Sequence, residues 1–215
     1  MTKSEILHRL LDQGVIAILR ANDAAQLIEA TRALLEGGIV AVEVTMTTPN
    51  ALQVIRDAAR VFGDTVLMGV GSVTDKETAQ AAVDAGAKYV VTPVVRPEVI
   101  ALCNRLSVPV LSGAYSPTEI FTAHELGSDL IKVFPADALG PNYIKSILAP
   151  LPQLRIVPTG GVDLKNCAAF IKAGSAGVGL GSSLVSKKIL DEKKWDTLTD
   201  LARQFVSTVQ LAREK

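Results

Sequence analysis

The feature that most constrains this chain is a rhythm in which a short β-branched run is followed by an alanine-rich amphipathic stretch, eight times over. The runs fall at residues 15–19, 40–45, 66–70, 89–91, 108–111, 130–134, 155–158 and 176–180. They are almost continuously apolar, as strands covered on both faces must be. Between them, segments such as 23–36, 48–61, 75–85 and 117–126 carry apolar residues at helical spacing. Parallel neighbours need a crossover, and a helix after every strand supplies one, so the alternation predicts a parallel sheet. Eight such units, one about every 20 to 26 residues, predict an α/β protein built as a closed (β/α)8 TIM barrel. Residues 3–11 add a leading helix and 195–212 a C-terminal one, the latter with Leu198, Leu201, Ala202, Phe205, Val206 and Val209 on one stripe.

Local signals agree with this rhythm. Thr48-Pro49, Thr74 with Glu77, and Ser116-Pro117 with Glu119 read as helix starts, while Gly37-Gly38, Gly86, Gly127 and Gly174 read as stops. An open doubly wound sheet would alternate too, but the run 69–74 (GVGSVT) has threonine where a dinucleotide fingerprint needs its third glycine, and no phosphate-binding GxxxxGK[ST] occurs.

Composition closes off other classes. Lys+Arg 22 balances Asp+Glu 22, leaving no basic excess for nucleic acid or an anionic membrane. A 48% hydrophobic content excludes disorder, and 215 residues suit one domain spanning 1–215. Cys103 and Cys167, with His8 and His124, show no metal-ligand spacing, so no metal is expected and both thiols read as reduced and structural. No apolar stretch approaches the length of a membrane span, and a soluble, cytoplasmic protein is expected.

Two charges stand where core residues belong. Ala41, Glu43 and Thr45 share one face of the second strand, and Leu130, Lys132 and Phe134 one face of the sixth. The β-branched residues between them suit the helix-covered side, so Glu43 and Lys132 turn into the barrel near its carboxyl end, where barrel active sites are built. Burial disfavours an ammonium ion and frees the amine, which forms Schiff bases with carbonyls. Glu43 in the same lumen would move protons. The competing reading is an ion pair that only satisfies itself.

Thr159-Gly160-Gly161 follows the seventh strand and the run 179–183 (GLGSS) the eighth. Loops in those two places hold phosphate in many barrels through backbone N–H groups, although ordinary tight turns look the same. Arg20, closing the first strand, is suited to grip a carboxylate with its fork; Ser72 and Pro93 lie on the same rim.

Taken together, residues 14–20 (GVIAILR), 42–45 (VEVT) with Thr48-Pro49, 69–73 (GVGSV), 91–93 (VTP), 111–113 (LSG), 131–136 (IKVFPA), 157–162 (VPTGGV) and 179–185 (GLGSSLV) resemble the class I 2-keto-3-deoxy-6-phosphogluconate and 4-hydroxy-2-oxoglutarate aldolases. The resemblance runs in order over nearly the whole chain. It implies that Lys132 forms the Schiff base with pyruvate or the 2-keto acid substrate and that Glu43 is the acid/base. It also implies that Thr159, Gly160, Gly161, Gly181 and Ser182 bind phosphate, that Ser72, Pro93 and Phe134 line the pyruvate end, and that the enzyme is a cofactor-independent homotrimer. One departure stands out: the family's best-known members carry an arginine where this chain has Thr47. The carboxylate would then fall to Arg20, with Thr45 and Ser72 as hydroxyl partners. The galactonate epimer or 4-hydroxy-2-oxoglutarate would be alternative substrates, and a catalytically silent trimeric scaffold is the reading from outside the enzyme class.

Overall fold

The structure, a computed structural model, describes residues 1–20 and 23–214. Eight parallel strands form one sheet: β1 Val15–Leu19, β2 Ala41–Thr45, β3 Leu67–Gly71, β4 Tyr89–Val91, β5 Val110–Ala114, β6 Leu130–Val133, β7 Ile156–Pro158 and β8 Val178–Leu180. Their order runs β7-β6-β5-β4-β3-β2-β1-β8, and a bridge between Thr159 and Gly179 joins the two ends into a barrel. The connecting helices are α2 Ala24–Glu36, α3 Ala51–Phe62, α4 Lys76–Asp84, α5 Pro97–Arg105, α6 Pro117–Glu125, α7 Gly140–Leu148, α8 Cys167–Lys172 and the short α9 Lys187–Asp191. Flanking them are α1 Lys3–Gln13 and α10 Trp195–Arg213.

Strand parity sorts the apolar residues into two cores. Val42, Val44, Met68, Val70, Val90, Ile131 and Val133 pack outward under the helices. Ile16, Ala41, Leu67, Tyr89, Val91, Leu111, Leu130 and Val157 fill the lumen, and α1 stops its amino-terminal end with Ile6 and Leu10. α1 starts on a capping box in which Thr2 and Glu5 satisfy each other's backbone amides. Lys3 fastens it to Asp129 by a 2.9 Å ion pair, and Arg213 reaches from α10 to donate to the carbonyls of Leu11, Asp12 and Ala176. The amino-terminal end of the lumen is thereby closed.

Three local expectations are corrected. Thr48 does not start α3: its amide closes a turn on the Thr45 carbonyl, its buried hydroxyl has no hydrogen-bond partner among the described residues, and Asn50 takes the cap position. Asp75, not Thr74, caps α4 by accepting from the Thr78 amide. β5 begins at Val110 rather than Val108, because Pro109 has no N–H to give a ladder, and it runs on through Ser112 and Gly113 to Ala114. The start at Ser116 holds, with a full capping box to Glu119.

Candidate active site

Glu43 and Lys132 reach the same point of the lumen from β2 and β6. Lys132 Nζ stands 3.6 Å from Glu43 Oε1, and the residues are only 8% and 2% exposed. The inward parity read from the sequence thus brings the two opposite charges together. Glu43 has room because β3 presents Gly71 beside it: a methyl group there would collide with the carboxylate. Across the pair, the Phe134 ring centroid lies 5.3 Å from Lys132 Nζ, a cation–π distance that gives the ammonium a partner without a second anion. Phe134 follows β6, still donates its amide to the Ala114 carbonyl, and is 40% exposed as a residue.

A cavity of about 390 Å³ opens at the same end of the barrel; Lys132 and Glu43 do not line it, and Phe134 is the lining residue that also touches the pair. Its walls include Arg20, Phe134, Thr159, Gly160, Gly161, Gly181 and Ser182, so one space holds both glycine turns and the candidate arginine. Gly160 and Gly161 sit at φ +90° and +70°, where side-chain-bearing residues are strained. The loop beyond them is fixed by Asp163 and Asn166. The Asp163 carboxylate accepts from the amides of Lys165 and Asn166, and the Asn166 amide group returns a 2.8 Å bond to the Gly161 carbonyl. After β8, the Gly181 carbonyl accepts from Leu184 and Val185, a single helical turn whose free amide end carries Ser182. Gly179, expected in this turn, lies within β8 facing inward; a methyl group there would strike the Thr159 hydroxyl.

Other candidates stand apart from that cavity. Thr45 is buried at the mouth end of β2, and its hydroxyl shares a 2.8 Å hydrogen bond with that of Thr47. Ser72 follows β3 at φ +61°. Pro93 lines a small 60 Å³ pocket that has Phe134 in common with the cavity of the glycine turns. Two contributors escaped the sequence reading: Gly71, the second of two glycines in β3, and the Asp163–Asn166 clasp, whose Asp-x-x-Asn spacing was the available signal. Burial pushes the Cys103 thiol up to about 11 and raises Cys167 as well, as suits packing rather than nucleophilic thiols. Among the described residues no cluster of His, Cys, Asp and Glu could hold a metal ion, and no helix is long and apolar enough to cross a membrane.

A parallel barrel with a buried lysine and glutamate paired at its carboxyl end is the architecture of a barrel enzyme. The chain belongs to the KDPG and KHG aldolase family, whose model matches residues 6–201, and it is an aldolase, a carbon–carbon lyase. It is 37% identical over 210 residues to the 2-dehydro-3-deoxy-phosphogluconate aldolase of Treponema pallidum, covering 97% of this chain and 98% of that one. It is also 37% identical over 171 residues to the 2-dehydro-3-deoxy-6-phosphogalactonate aldolase of Escherichia coli, covering 79% and 83%. Among solved structures, the KDPG aldolase of Legionella pneumophila with pyruvate captured as a covalent carbinolamine superposes with a TM-score of 0.84 at 26% identity, over 95% of this chain and 98% of that one.

Proposed function

We propose that this protein is a Schiff-base aldolase that splits 2-keto-3-deoxy-6-phosphogluconate into pyruvate and glyceraldehyde 3-phosphate, one barrel unit over 1–215 carrying the whole site. The observation that carries the proposal is the Lys132–Glu43 pair, 3.6 Å apart and both buried near the carboxyl end of the barrel. Transfer of one proton from the ammonium to the carboxylate yields the neutral amine and the neutral acid that the first step needs. The amine attacks the C2 carbonyl, Glu43 gives the carbinolamine oxygen a proton, and water leaves. The resulting protonated imine accepts the electron pair of the breaking C3–C4 bond while the C4 hydroxyl proton passes to the Glu43 carboxylate. The aldehyde departs, the enamine regains a proton at C3, and water releases pyruvate. The carbinolamine captured in the Legionella relative supports this course.

Thr159, Gly160, Gly161, Gly181 and Ser182 take the phosphate, and Pro93 and Phe134 pack around the pyruvate carbons. Arg20 takes the carboxylate, helped by Ser72 and Thr45. One observation favours a second assignment: Arg20 lines the cavity of the glycine turns, whereas Ser72 and Thr45 do not. In that version Arg20 pairs with the phosphate and the two hydroxyls hold the carboxylate. The galactonate relative supports the C4 epimer as an alternative substrate, and 4-hydroxy-2-oxoglutarate is the unphosphorylated one. The silent scaffold gives way to family membership.

No cofactor takes part in this mechanism. A homotrimer in the cytoplasm fits the exposed Val94 and Tyr115 on the β4 and β5 loops and the two free thiols. Incubation with pyruvate and borohydride should fix one adduct on Lys132. A label mapped elsewhere, or none, refutes the Schiff base, and pyruvate release from a panel of the three aldols names the substrate.

A further inference from the structure

Tyr89 opens β4 and lies fully buried in the lumen beneath the Lys132–Glu43 pair, packed with Ile6, Leu10, Leu67 and Leu111. Among the described residues its hydroxyl has no hydrogen-bond partner. An apolar cage does not need a phenol oxygen, and phenylalanine would fill the same volume. The backbone shows where the oxygen is aimed. Register aligns Glu43 of β2 with Gly69 of β3, and Gly69 with Tyr89 of β4. A methyl group on Gly69 would collide with Cζ and both Cε atoms of the ring, so the phenol lies across β3 with its far end toward β2. Two residues on, Gly71 gives the same accommodation to the Glu43 carboxylate from the other side. The middle strand has no side chain at either level, and the two polar groups converge over it. Burial first, and the Glu43 charge second, push the pKa of the Tyr89 phenol well above its ordinary value, so the tyrosine keeps its proton and remains a donor.

We propose that Tyr89 is a positioning residue for Glu43, donating through one buried water to the Glu43 carboxylate and so holding it against Lys132. This rests on the reading of Glu43 as the acid/base. A bridging water would have the phenol oxygen, the carboxylate and the Lys132 ammonium as its polar partners. Of the groups facing Glu43, Lys132 comes from β6 and Tyr89 from β4, with Arg20 at the mouth beyond β1. The inward residues Ile16 and Ile18 of β1, Gly113 of β5, Val157 of β7 and Gly179 of β8 carry no charge, nor do Ile6 and Leu10 of α1. A hydrogen bond to a carboxylate favours its ionised form, so losing that bond raises the pH at which the carboxylate becomes protonated.

The test is Tyr89→Phe in the full chain, which removes one oxygen. The expected result is a kcat lower by about three- to tenfold, the size of one net hydrogen bond, with KM nearly constant. The acid limb of the kcat profile should move up by about half to one pH unit, and Tm should change little because the ring that fills the lumen is kept. An unmoved acid limb with normal kcat overturns the proposal and leaves Tyr89 as packing. The Glu43→Gln variant and the double variant separate this from the underlying reading. Near-normal turnover in Glu43→Gln removes Glu43 from the chemistry whatever Tyr89 does. A severe loss in Glu43→Gln with no further loss on adding Tyr89→Phe supports action through Glu43, and a full additional loss refutes it.

Discussion

The phosphate assignment can be tested most cleanly at Gly181. Gly161 is the obvious place to put a repelling charge, but it sits at φ +70° and a side chain there would collide with Asp137. A loss in Gly161→Asp would therefore mix strain with repulsion. Gly181 has an ordinary φ, a Cβ built on it meets nothing within 4 Å, and it lines the cavity beside Ser182. Gly181→Asp places a carboxylate roughly 5 Å from a phosphate held by that turn, and at an effective dielectric of about 20 each pair of unit charges repels by about 3 kcal/mol. Gly181 is only half-buried, so solvent takes away at least half, while the second phosphate charge restores part of it. The net is about 2–3 kcal/mol, or one and a half to two decades in kcat/KM. The assay is coupled pyruvate release with 2-keto-3-deoxy-6-phosphogluconate and with 4-hydroxy-2-oxoglutarate, comparing Gly181→Asp with the uncharged Gly181→Asn. The expected outcome is a one-and-a-half to two decade loss confined to the phosphorylated substrate and to the aspartate. Equal losses on both substrates, or in both variants, would refute phosphate binding at this turn.

Arg20→Lys keeps the charge but loses the fork, and should cost about one to two decades in kcat/KM for pyruvate-forming cleavage of 4-hydroxy-2-oxoglutarate if Arg20 holds the carboxylate. A loss seen only with phosphorylated substrate would move Arg20 to the phosphate. Gly71→Ala forces the Glu43 carboxylate out of its place, so kcat should fall by at least about tenfold while far-ultraviolet circular dichroism is unchanged; a normal kcat would show that Glu43 has slack. Asp75→Ala removes the cap of α4 and should cost about 1 kcal/mol near neutral pH. The bond from the Thr78 amide lowers the Asp75 carboxyl pKa below its ordinary value, so this contribution is present above the unfolded pKa and is lost as pH falls through the folded one. Thermal melts should therefore separate wild type and variant at pH 7 and converge near pH 2; a gap that persists in acid would contradict the cap.

What was legible in the sequence follows the physics of a strand with two different faces. Side chains alternate with period two, so Glu43 between Val42 and Val44, and Lys132 between Ile131 and Val133, could be turned inward from the local sequence pattern alone. Their 3.6 Å approach needed only that both lie near carboxyl ends. Helix starts were less legible where two capping residues compete. Thr74 and Asp75 are neighbours, and the aspartate reaches the Thr78 amide while the threonine is left outside. Thr48-Pro49 carried the right residues, but the turn closing on Thr45 buries the hydroxyl before it can cap anything.

Register was the part the sequence withheld. The run 69–71 (GVG) read as a failed nucleotide fingerprint, because one strand's glycines acquire meaning only when the residues beside them on neighbouring strands are known. Glu43 and Tyr89 are 46 positions apart in number, and nothing in their local sequence pairs them. Once β2, β3 and β4 are aligned, Gly69 and Gly71 become the places over which a phenol and a carboxylate lie. Glu43 on β2, Tyr89 on β4 and Lys132 on β6, set against Gly69 and Gly71 on β3 and Gly113 on β5, also explain how the lumen holds an acid, an amine and an aromatic ring together. Alternate strands supply the layers of such a barrel, so a glycine on the strand between is what lets two functional side chains meet across it. Enlarging β3 at either glycine should therefore damage the chemistry more than the fold, the reverse of what enlarging an outward residue such as Val70 would do.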